Sequence, residues 1–108
     1  MDIERWRSEI DELDEELLRL LNMRARLVMK VGALKRSTGL PLRDPEREEF
    51  VLRHLQELNN GPLDQQAVAR LFRRIIRESR RIESVMADRS NSTAVTSVNS
   101  PTKLRGIA

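Results

Sequence analysis

The stretch Ile3-Glu4-Arg5-Trp6-Arg7-Ser8-Glu9-Ile10-Asp11-Glu12-Leu13-Asp14-Glu15-Glu16-Leu17-Leu18-Arg19-Leu20-Leu21-Asn22-Met23-Arg24-Ala25-Arg26-Leu27-Val28-Met29-Lys30-Val31-Gly32-Ala33-Leu34-Lys35-Arg36 decides the fold. It has no proline, and Gly32 is its only glycine. Apolar side chains recur at Ile3, Trp6, Ile10, Leu13, Leu17, Leu20, Leu27, Val31 and Leu34, in steps of three and four, which is the period of an α-helix. Arg24 fills the slot between Leu20 and Leu27 where that series calls for an apolar residue, so it is placed inward. A second stripe, Leu18, Leu21, Ala25, Val28 and Gly32, begins beside Leu17 and lies about 100° further round the helix. A helix apolar on two sides needs cover on two sides. At 1.5 Å per residue it runs to roughly 50 Å, whereas a compact domain of about 100 residues has a radius of gyration near 13 Å. A second copy of the chain along the exposed seam supplies the cover, and the expected architecture is an all-α, three-helix chain with a very long first helix, intertwined as a homodimer.

Beyond this helix, Ser37-Thr38-Gly39-Leu40-Pro41 is a stop signal and Asp44-Pro45-Glu46 a start signal, with Asp44 as cap, Pro45 in the first turn and Glu46 at the positive end of the dipole. Helix 2 is expected to bury Val51, Leu55 and Leu58, with Phe50 and Leu52 at the margins, and to end before Asn59-Asn60-Gly61-Pro62. Arg47 and Glu48 continue its apolar face. Helix 3 is expected from Asp64 to about Ala87, burying Val68, Leu71, Phe72, Ile75, Ile76, Ile82 and Met86, with Ser79 and Glu83 on the same stripe. Its other face carries Arg70, Arg73, Arg74, Arg77, Arg80 and Arg81. Residues 1–87 form the expected domain and residues 88–108, rich in Ser, Asn, Thr and Val, a flexible tail or linker.

Composition narrows the function classes. The 108 residues allow one domain with a modest core. Zero cysteines and a single histidine, His54, exclude disulfides, thiolate metal sites and a histidine cluster. Met1-Asp2-Ile3-Glu4-Arg5 is not an apolar run, no segment approaches the roughly 20 apolar residues of a membrane span, and an unexported, cytoplasmic protein is expected. The net charge of +3 comes from 20 basic and 17 acidic residues mixed along the chain. The arginines of helix 3 are read as a solvated face, because Trp6, Phe50 and Phe72 are too few aromatics to stack on bases.

The informative residues are the polar ones on inner faces: Arg7, Arg24, Lys35, Arg47, Glu48, Ser79 and Glu83. Four cations face two acids, and an anionic ligand, best a compact dicarboxylate gripped by the planar arginine fork, balances the excess. The competing reading is structural: Arg24 paired internally with Glu48 or Glu83. Lys35 and Arg24 are eleven residues apart, within about 20° on one face.

In order and spacing, Trp6 to Arg24, then Val31-Gly32-Ala33-Leu34-Lys35 and Pro41-Leu42-Arg43-Asp44-Pro45-Glu46-Arg47-Glu48, the chain resembles the all-helical chorismate mutase family over residues 3 to 86. The shared pattern is an arginine, an Ile-Asp-x-x-Asp run, a second arginine, Gly-x-x-Lys and Asp-x-x-Arg-Glu. The resemblance implies conversion of chorismate to prephenate by an intramolecular [3,3] rearrangement, without cofactor, metal or covalent intermediate. It implies that Arg24 and Arg7 grip the two carboxylates, Arg7 reaching in from the partner subunit. Lys35 would donate to the ether oxygen, Glu48 would accept from the ring hydroxyl with Asp44 at the same end, Arg47 would support the pocket, and Ser79 would lie against a carboxylate. The family commonly has glutamine where this chain has Glu83, and a glutamate there can donate a hydrogen bond only when protonated. Alternatives of the same or another class are an isochorismate pyruvate lyase, a basic nucleic-acid-binding module and a regulatory dimerisation module.

Overall fold

The computed structural model describes the backbone of residues 2–93 and the side chains of residues 2–86. Three helices, α1 (Ile3–Thr38), α2 (Pro45–Leu58) and α3 (Gln65–Thr93), account for its regular structure. The punctuation read from the sequence is what bounds them. Gly39 ends α1 in the left-handed conformation (φ 76°), which glycine adopts without the Cβ penalty. The Asp44 carboxylate accepts a 3.0 Å hydrogen bond from the Arg47 amide at the start of α2. Asp64 caps α3 in the same way, accepting from the Ala67 amide at 2.7 Å. No glycine or proline interrupts the chain just after Ala87, and α3 runs six residues past that expected boundary, to Thr93. The rest of the expected tail, 94–108, lies outside the described residues.

α3 is the central element: it packs against both α1 and α2, which make no backbone approach to each other. On α1 the stripe Leu21, Ala25, Val28 and Gly32 turns toward this cover, and burial rises only from Leu21 onward. The first stripe stays bare, with Trp6 58% and Leu13 67% exposed and Ile3, Ile10, Leu17, Leu20, Leu27 and Leu34 exposed beside them. The long dimension of the molecule is 59 Å, set by the length of α1, and its radius of gyration is 17.5 Å. The single chain therefore covers one of the two stripes.

Two expected core positions change places. In α2 it is Leu52 that is buried, while Leu58 is 61% exposed. The buried face runs Glu48, Leu52, Leu55 and Gln56, because α2 is covered by α3 alone and is rotated to present that row. In α3, Val68, Ala69 and Ile76 are buried and Leu71 is exposed. No helix among the described residues is long and apolar enough to cross a membrane.

Candidate functional site

The inner polar residues of α1 and α3 meet where the two helices cross. Arg24 with Ser79, and Gly32 with Glu83, advance in the same direction along both helices. The half-buried Arg24 donates from Nη1 to Ser79 Oγ at 2.7 Å, and that hydroxyl donates in turn to the Ile75 carbonyl at 3.0 Å. Burial, and then the positive charge of Arg47 across from it, hold the Arg24 guanidinium below the usual arginine range. A cation whose surroundings disfavour its charge lacks a counter-ion.

Lys35, three turns further along α1, donates from Nζ to the Leu42 carbonyl at 2.8 Å, which ties the helix to the turn that delivers α2. Arg47 lies at the rim, with its guanidinium 5.3 Å from the centre of the Phe50 ring. Among the described residues neither Arg24, Lys35 nor Arg47 has an ion-pair partner. Glu48 is committed elsewhere: its Oε2 is 3.0 Å from Arg80 Nε and its Oε1 3.9 Å from Arg43 Nη2. The internal pairing of Arg24 with Glu48 or Glu83, open at the level of sequence, is not what the chain adopts.

Glu83, 8% exposed, is the buried acid among the described residues. Burial pushes its carboxyl up from the ordinary glutamate range. Lys35 and Arg36 pull it back down, and Glu48 adds a further upward push. Room for it comes from Gly32, since a Cβ built there would stand 3.2 Å from Glu83 Cγ and 3.5 Å from Oε2. Gly32→Ala is thus expected to gain about 1 kcal/mol of helix propensity while displacing the carboxyl, so that melting temperature holds or rises. Turnover should nevertheless fall by about tenfold or more, as misplaced catalytic groups do. Steady-state kinetics beside a thermal melt check this, and unchanged turnover would remove Glu83 from the site.

Asp44 is exposed and one of its oxygens is taken by the cap of α2. Arg7 stands apart: it is exposed, 3.4 Å from Glu4, and seventeen residues of helix put it about 25 Å from Arg24. The chain by itself does not bring it to the others. Two residues that periodicity placed outside or passed over do reach the site. Arg36 lies beside Gly32 and acts on the Glu83 carboxyl, and Arg80, read as part of the solvated basic face, bends back to Glu48. A long stem lets a guanidinium cross from the flank of a helix to its packed side, and a helical wheel does not show it. Of the remaining α3 arginines, Arg74 and Arg81 share Glu78, at 3.2 and 2.9 Å, which blunts the basic stripe. A cavity of about 280 Å³ lies between α2 and α3, lined by Arg43, Glu48, Leu52, Ile76 and Arg80 among others.

Two half-buried or tethered cations, a third beside them on α2 and a buried acid that burial pushes toward its neutral form make a constellation suited to an anion that also offers an acceptor. The comparisons with known proteins identify the family. The family model of chorismate mutase type II matches residues 6–84. The bifunctional chorismate mutase/prephenate dehydratase of Neisseria gonorrhoeae is 51% identical over 77 residues, which are 71% of this chain and 21% of that protein. The chorismate mutase of Methanocaldococcus jannaschii is 28% identical over 78 residues, 71% of this chain and 79% of that protein. Among solved structures, the form II chorismate mutase of Thermus thermophilus superposes with a TM-score of 0.77 at 39% identity, covering 78% of this chain and 96% of that one. The chain spans about a fifth of the length of the bifunctional relatives. On the match of the family model over residues 6–84 and the superposition on a solved chorismate mutase, the chain belongs to the chorismate mutase type II family.

Proposed function

We propose that the chain converts chorismate to prephenate, by a concerted rearrangement in which the ether C–O bond breaks as a new C–C bond forms. The observation that carries this reading is the set Arg24, Lys35 and Arg47, which lack acidic partners among the described residues, with Lys35 beside an acid that burial pushes toward its protonated form. Such a reaction asks for two things. The enolpyruvyl arm must be held over the ring, and the negative charge growing on the ether oxygen must be stabilised. Arg24, steered by Ser79, grips one carboxylate. Lys35 donates to the ether oxygen, and protonated Glu83 is the second donor. Glu48 accepts the ring hydroxyl, with Asp44 at that end, while Arg47 adds positive charge from α2.

The second carboxylate is left to Arg7 of a partner subunit. The bare stripe of α1 supports a homodimer, since an apolar face that long is otherwise left in water. The test of activity is the loss of chorismate with the purified chain, with isochorismate run beside it. Prephenate formation is expected, and release of pyruvate from isochorismate alone would replace the reading with a lyase.

Sharing of the pocket has its own test. Arg7→Ala and Arg24→Ala chains, each inactive alone, are mixed, unfolded and refolded together. If Arg7 serves the neighbour, half the dimers are hybrids with one of two sites intact, and activity returns to about a quarter of the parent. No recovery would place Arg7 in its own chain's pocket or outside the site.

A further inference from the structure

Arg80 is the charged residue whose position departs most from its place in the sequence pattern. It follows Ser79 by one residue, about 100° round α3, and belongs by periodicity to the solvated arginines. Its side chain is nevertheless only 39% exposed, and its Nε is out of contact with water. That Nε lies 3.0 Å from Glu48 Oε2, close enough for an ion pair though off the line of a good hydrogen bond. No other acceptor among the described residues satisfies it. Glu48 is itself mostly covered, at 19% side-chain exposure, and the Glu83 carboxyl is near enough for the charge of Glu48 to disfavour its ionisation. Arg80 gives it a fixed counter-charge on the side of the α2–α3 cavity, which both residues line.

We propose that Arg80 is a positioning residue for Glu48. It holds Oε2 and leaves Oε1, whose one cationic neighbour among the described residues is Arg43 at 3.9 Å, to accept a hydrogen bond from the ring hydroxyl of the substrate. This rests on the reading of the site given under Proposed function. In these terms α3 supplies three neighbouring groups with separate duties: Ser79 steers Arg24, Arg80 steers Glu48, and protonated Glu83 donates a hydrogen bond. The ion pair selects for the hydroxyl, because an acceptor locked in place rewards a donor that meets it and gains nothing from a hydrogen in its stead.

The experiment measures kcat/KM for chorismate and for an analogue lacking the ring hydroxyl, in the parent, Arg80→Ala, Arg80→Met, Glu48→Gln and the Arg80→Ala/Glu48→Gln double variant. Arg80→Met keeps the buried stem, so it gives the comparison even if the alanine variant does not fold. The expected result is a loss of about 10- to 100-fold on chorismate and little change on the analogue. In the Glu48→Gln background the further cost of removing Arg80 should stay within about twofold. Equal losses on both substrates, losses that simply multiply with Glu48→Gln, or no loss at all would overturn the assignment of Arg80 while leaving the mutase reading intact. A parent chain that does not turn over chorismate would overturn both.

Discussion

Arg24→Ala is expected to lower kcat/KM for chorismate by about 10²- to 10⁴-fold while leaving the folded protein nearly as stable as before. The two halves of this expectation have one cause. In the free chain the guanidinium is half-buried, faces Arg47 and rests on a neutral hydroxyl, so the fold gains little from it. Removing it forfeits one hydrogen bond to Ser79, worth about 1 kcal/mol, and also relieves a charge that burial and Arg47 disfavour. A bound carboxylate, by contrast, meets a guanidinium already aimed by Ser79 and without an acidic partner among the described residues, so the charge-assisted contact forms without breaking another. Steady-state kinetics and a thermal melt on the same preparation check both halves. A variant that melts much earlier than the parent but still turns over would mean that Arg24 is a structural cation.

Glu83→Gln is expected to change the shape of the pH profile more than its maximum. Burial lifts the Glu83 carboxyl above its ordinary range, with Lys35 and Arg36 limiting the rise. Only the protonated acid can donate to the ether oxygen, so kcat/KM of the parent should fall about tenfold per pH unit once pH exceeds the raised value. Glutamine donates at every pH, and the variant should overtake the parent by about 100-fold two units above that point. The stability of the free chain moves with it. The unfolded chain loses this proton at the ordinary glutamate value and the folded chain at a higher one, so stability falls as pH rises between the two and then stays low. Glu83→Gln should remove that fall. A parent profile that is flat from about pH 5 to 9, or one unchanged in the variant, would exclude Glu83 as the donor.

Much of this was legible in the sequence, for reasons that particular residues make plain. The length of α1 follows from an unbroken period without proline, and the end of α1 and the starts of α2 and α3 follow from Gly39, Asp44 and Asp64, whose effects are local. Arg24, Ser79 and Glu83 stood out because each occupies a slot where a core residue belongs. The exchange of Leu52 and Leu58 was not legible, since the rotation of a short helix depends on which neighbour covers it. Arg80 was missed because the reach of its stem exceeds what a wheel of Cβ directions describes.

The bare half of α1 carries a consequence for how such a protein is used. In the paired form proposed above, dilution uncovers the apolar stripe and takes the neighbour's guanidinium out of each pocket together. Rate per chain then depends on abundance, rising with concentration until pairing is complete. A chain made in small amounts would be both slow and exposed to proteases along α1, and one made in excess would be neither.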